Sequence, residues 1–134
     1  MNLVLGVQAE ATPLLLSDSL WSRFRIGELF DVIDPATKAP ATKNLFTMAN
    51  VATPGLIPAE QSIEALQKRG VRFLMCLNTL GGLAARLSAA GQGPAPDVRA
   101  ALVGGLLPGV ITVPAMVVAL AQLQERGLTY YKVA

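Results

Sequence analysis

From Ala100 to Leu123 the chain runs for 24 residues without a charged side chain. A run of that length is enough to cross a bilayer as one helix. Its punctuation argues against that. Gly104, Gly105, Pro108, Gly109 and Pro114 break it into a helix, a turn and a second helix. Between the turn and Pro114, Val110–Val113 reads as a short strand, because strands of a parallel sheet are covered on both faces and are written as continuous apolar runs. Gly105 and Gly109 have the spacing of a small-residue helix-pairing motif, but Pro108 falls inside it.

The same grammar recurs along the chain. Leu3–Val7 and Val71–Met75 are short apolar runs of strand length. Between them, Thr12-Pro13 predicts a helix start with proline at its first position, and Ser17 and Asp18 offer caps for a second short helix. Residues 34–59 form a long loop holding Pro35, Pro40, Pro54 and Pro58, and its Leu45, Phe46, Met48, Leu56 and Ile57 are too apolar to stay solvated. Pro58 is expected to open a helix that Gly70 closes. Leu77–Ala90 carries Leu80, Leu83, Ala84 and Leu87 at helical spacing. Asp97 is read as the cap of the next helix, Pro114 as the opening of the last one, and 128–133 as an edge strand. Alternation of this kind predicts a single α/β domain built on a mostly parallel sheet.

Composition narrows the chemistry. The chain has 134 residues, one cysteine and no histidine. One cysteine excludes an internal disulfide framework. The absence of histidine excludes Ser-His-Asp and Cys-His catalysis, and with it the ordinary histidine-based zinc and iron sites. Neither a metal nor a cofactor is expected. A net charge of +2, with basic residues scattered and the densest group (Lys68, Arg69, Arg72) at a helix end, does not favour a nucleic-acid partner. The start, MNLVLGVQAEA, lacks the basic residues and the longer apolar core of a signal peptide.

The one cysteine lies in FLMCLNTLGG (73–82), where a strand gives way to a helix. In parallel sheets ligands sit beyond the carboxyl ends of the strands, and Cys76 falls on that edge. If the helix starts at Asn78 or Thr79, its free N–H groups and positive dipole end favour the thiolate. Asn78 and Thr79 add donors, and Gly81 with Gly82 keeps that turn thin enough for a partner to approach. Glu10 follows the first strand on the same edge. The alternative stays open, since cysteine is among the residues most often buried as a small apolar filler. Arg72 and Arg86 read as surface charges, and Trp21 and Phe24 as core or interface aromatics.

GVRFLMCLNTL (70–80) followed by LLPGVITVPAMVVALAQLQERGLTYYK (106–132) resembles the DsrE/DsrF-like family of sulfur-relay proteins. There a strand runs into a cysteine and a helix, a later strand enters a Val-Pro-Ala turn (here Val113-Pro114-Ala115), and the helix after it ends in Leu-Gln, Gly and Tyr (Leu123-Gln124, Gly127, Tyr130). LLLSDSLWSRFRIGELFDVIDPATKAPATKN (14–44) resembles a subgroup with a Trp and an Asp-Pro-x-Thr loop. The resemblance implies a flavodoxin-like domain with helices on both faces of the sheet, lacking the family's first strand–helix unit, which has no counterpart after Met1. It implies a homo-oligomer, trimer or hexamer, a sulfur-relay partner protein, and sulfur-carrier or sulfurtransferase chemistry with Cys76 in the persulfide-bearing position. Relatives of the subgroup often carry His-Gly where this chain has Val7-Gln8. Some look exported, so the expected compartment is cytoplasmic for the chain as it stands and periplasmic if a leader precedes it.

Overall fold

The computed structural model describes residues 3–51 and 57–129. Three strands, β1 (Val4–Val7), β2 (Arg72–Cys76) and β3 (Ile111–Val113), form one parallel sheet in the order β1-β2-β3. Val7 pairs with Met75 and Cys76 pairs with Val113, so the sheet ends with Cys76 on its central strand. Strand side chains alternate between faces. Phe73 and Met75 therefore enter the larger core, while Leu74 and Cys76 enter a smaller one on the other side. Both sets are buried, which is why the strand reads as an unbroken apolar run in the sequence.

The larger core gathers residues of α1 (Asp18–Arg23), α2 (Ile26–Leu29), α3 (Ile63–Lys68), α4 (Leu77–Ala89) and α5 (Ala95–Gly104). In α4, Leu80, Leu83, Ala84 and Leu87 make the buried stripe, and Val98 and Leu102 of α5 lie in the same core. The smaller core is covered by α6 (Met116–Glu125), through Met116, Leu120 and Leu123. The fold is thus α/β, a flavodoxin-like parallel sheet with helices on both faces, and the sheet is small. Among the described residues no helix is long and apolar enough to cross a membrane.

Several boundaries differ from the sequence expectation, each for a local reason. The expected helix from Pro13 is a 3-10 turn, Ala9–Leu15, with Pro13 inside it. The carbonyls an α-helix would need there are taken by side chains: Trp21 Nε1 donates to the Pro13 oxygen (3.1 Å), and Asn44 Nδ2 donates to those of Leu14 (2.9 Å) and Leu16 (2.8 Å). Arg25, at φ +53°, separates α1 from α2. Pro58 leads into a 3-10 turn, Ala59–Gln61, and α3 starts only after Ser62, whose hydroxyl accepts the Ala65 N–H. The helix expected from Asp97 starts at Ala95, with Pro96 in the first turn, where its missing N–H costs nothing. The expected strand at 128–133 lies, from Tyr130 on, outside the described residues, as do Pro54 and Leu56 of the long loop.

Residues 41–47 of the long loop are docked on their own domain, whereas 35–40 are exposed, as is Met48, against the sequence expectation that it docks. Ala41, Asn44, Leu45 and Thr47 are buried, and Phe46 packs against the larger core. Asn44 is the anchor. Its backbone N–H donates to Asp18 Oδ1 (2.9 Å), and its side-chain oxygen accepts the Phe46 N–H (3.0 Å). Asn50 Nδ2 ties the same turn to Asp18 and to the Asn44 carbonyl. Gly27 lets the loop close: a side chain there would run into the backbone of Ala41.

Candidate functional site

Cys76 ends β2 and is at once the residue that caps α4. A residue in that position faces the unpaired N–H groups of the first helical turn. The chain after β3 approaches the same point, since Val113 is level with Cys76 and Met116 opens α6 three residues further on. The sulfur is therefore faced by two helix starts, both on helices of ten residues or more.

Burial pushes the Cys76 thiol up, and it is the largest single influence. The Thr79 N–H, the Thr79 hydroxyl and the N–H groups of Met116 and Asn78 pull it down. Together the four donors win, and the thiol ionises below its ordinary value. The cap holds no tight hydrogen bond from the Cys76 side chain, so the donors act as a polarising shell around the sulfur.

Cys76 is also nearly inaccessible, at 5% of its full exposure, packed with Leu74 and Met116. The structure thus contains both halves of the question the sequence raises: a thiol whose ionisation is eased by nearby donors and a thiol walled by apolar side chains. Asn78 and Thr79 are brought to the sulfur as the sequence expects, through their backbone N–H groups and, for Thr79, the hydroxyl. Gly81 lies one turn further along α4, where a side chain would meet only the Arg99 guanidinium of α5, at 3.9 Å. Glu10 is exposed on the 3-10 turn after β1, on the same sheet edge, and makes no hydrogen bond or ion pair with the described residues around Cys76. Arg86 lies over the Phe30 ring, 5.5 Å from its centroid, and donates to the Leu29 carbonyl, which is a surface role.

The donor that sequence reasoning missed is the Met116 N–H. It lies 40 positions from Cys76, and only the β2–β3 register brings the two together. Pro114 announces a helix start after that strand, but nothing in the sequence places the strand beside β2. A groove of about 490 Å³ lies at the opposite, amino end of the strands, lined by Leu3, Val4, Arg72, Leu123 and Arg126 among others. It is far from Cys76, and the carboxyl edge is the candidate site because the thiol with perturbed ionisation lies there, where parallel sheets place their ligands. Among the described residues no cluster of metal-ligating side chains occurs.

Comparison of the chain with protein-family models, with curated proteins and with solved structures returned no match.

Proposed function

We propose that this domain is a sulfur carrier or sulfurtransferase that holds a persulfide on Cys76. The observation that carries the reading is the meeting of two helix starts on a single thiol at the carboxyl end of the central strand. Sulfur transfer suits a chain without histidine, because it needs a thiolate and no general base. The Cys76 thiolate attacks the sulfane sulfur of a donor persulfide. The donor's S–S bond breaks, its thiolate leaves, and a Cys76 persulfide forms with no net oxidation. A thiolate on a partner protein then takes the terminal sulfur in the same manner and returns Cys76 to its thiolate. The resemblance to the DsrE/DsrF-like proteins supports the same chemistry, with a homo-oligomer, trimer or hexamer, and a relay partner.

Intact mass after incubation with a persulfide donor tests this. The expected result is a gain of one sulfur atom, lost on reduction and absent from Cys76→Ser. An unchanged mass in the native protein would overturn it. The burial of Cys76 against Leu74 and Met116 favours a second reading, an oligomeric or small-ligand-binding domain in which the thiol is inert filler. That reading predicts no sulfur uptake under the same conditions.

A further inference from the structure

A thiol that is 5% exposed cannot be reached by a donor in the conformation described. What covers it is held unevenly. Met116, at 2% exposure, is the one fully buried residue of α6. Leu120 and Leu123 are half-buried beneath it, while Val117 and Val118 stand 79% and 56% exposed. Among the described residues no side chain of α6 makes a hydrogen bond or ion pair to another element, and apart from the Met116 N–H that faces the Cys76 sulfur the backbone bonds of 115–128 outside the regular helix are all local turns. On the other face α4 buries four side chains in the larger core and is in wide contact with α5. Elements with few buried apolar contacts open locally at much lower free energy than the core.

The fit of Met116 over the thiol also depends on one glycine. A side chain on Gly6 of β1 would reach to 2.5 Å from Met116 Sδ, against 3.2 Å and 3.3 Å for its neighbouring carbons. Gly6 is level with Leu74 in the β1–β2 register, on the face that α6 covers. The bare backbone there is the seat in which the thioether rests.

We propose that the first turns of α6 are a cover that opens and closes over Cys76, latched by Met116 in its seat at Gly6. This deepens the reading of Cys76 as a sulfur acceptor and rests on it for its biological meaning, but the motion stands on packing alone. Closed, the cover shields a persulfide from water and stray thiols and contributes the Met116 N–H to the sulfur. Open, it admits donor or acceptor. The exposed Val117 and Val118 are on the moving part.

The test is native-state hydrogen exchange with alkylation of Cys76 by iodoacetamide, neither of which uses a sulfur donor. In the wild-type protein the α6 amides should exchange at least about tenfold faster than those of α4, as expected for a local opening. Gly6→Ala and Met116→Ala should each label Cys76 about tenfold faster than wild type, because labelling of a covered group follows the population of its open form. Equal protection of α6 and α4 in the wild type would overturn the cover, and that measurement needs no variant to fold. Labelling of both variants at the wild-type rate would also overturn it. Opening without persulfide loading would sink the sulfur chemistry and leave the cover, whereas loading with a protected α6 would do the reverse.

Discussion

Asn44 is the side chain on which the fold around the site should depend most. It is completely buried, 26 residues along the chain from Asp18 and about 30 from the carbonyls it serves. Its amide donates to the carbonyls of Leu14 and Leu16, and its oxygen accepts the Phe46 N–H. Three bonds of ordinary strength contribute about 0.5–1.5 kcal/mol each, so about 1.5–4.5 kcal/mol in sum. Asn44→Ala removes all three and leaves two carbonyls and one N–H without partners. Water admitted to the vacated space recovers part of that loss, and the expected net cost is about 3 kcal/mol. Against a total of roughly 7–20 kcal/mol for a chain of this size, that is a large fraction.

Asn44→Asp separates the hydrogen bonds from the volume. It keeps the acceptor for Phe46 and nearly the same shape, but it turns a carboxylate oxygen toward two carbonyl oxygens. Near neutral pH it should cost more than Asn44→Ala. Its carboxyl, held in an acceptor-rich buried place, should have a raised pKa, so the variant should regain stability as pH falls and the group protonates. Urea unfolding gives the free energies, and trypsin cleavage after Lys38 and Lys43 in native buffer reports release of the loop. A cost below about 1 kcal/mol for Asn44→Ala, or an Asp variant that is the more stable of the two at neutral pH, would refute the reasoning.

Two further outcomes follow from the site and the surface. The alkylation rate of Cys76 should reach half its maximum at a pH below the free-thiol value of about 8.5, and Thr79→Val, which removes the hydroxyl and spares the N–H, should move that midpoint up. A thiol pKa lowered by folding adds stability above the unfolded value and loses it as pH falls through the folded value, so unfolding free energy should rise with pH across that window; a flat profile there would speak against the donor shell. Light scattering after size exclusion should show a homo-oligomer, because β1 and β3 each have one unpaired edge among the described strands and Leu3, Leu5, Ile111, Val117 and Val118 are exposed; a single species near 14.0 kDa would contradict it.

The layer order of the fold was legible because it depends on local pattern. Val71–Met75 and the stripe Leu80, Leu83, Ala84, Leu87 state their periods in nearby residues, and the structure uses them as strand, shifted by one residue to Arg72–Cys76, and as buried helix face. What was not legible depends on contacts made far along the chain. Nothing near Pro13 announces that Asn44 and Trp21 will take its turn's carbonyls and hold it as a 3-10 turn. Residues 34–59 look like a linker by their prolines, and only their apolar side chains hint at docking; that Asn44 is the pin cannot be read from a polar residue between Lys43 and Leu45. At the site, Cys76, Asn78 and Thr79 are neighbours in sequence and could be read together. Met116 could not be, since its place follows from strand register.

That split bears on the chemistry. A cysteine at one helix start gains donors from the first turn alone, and burial of the kind seen at Cys76 works against them. Here desolvation is the largest influence on the thiol, yet the balance still falls toward the thiolate. The donors of α4 share that work with a donor from α6, and α6 is also the wall that excludes water. Shielding and activation are therefore not independent properties of the site. Moving α6 away to admit a reactant removes desolvation and one donor together, so the two changes in thiol pKa oppose each other and partly cancel. If Cys76 carries sulfur as proposed, opening α6 should therefore shift the thiol pKa by less than the loss of either influence alone, which would suit a chain that has no histidine to restore the proton balance.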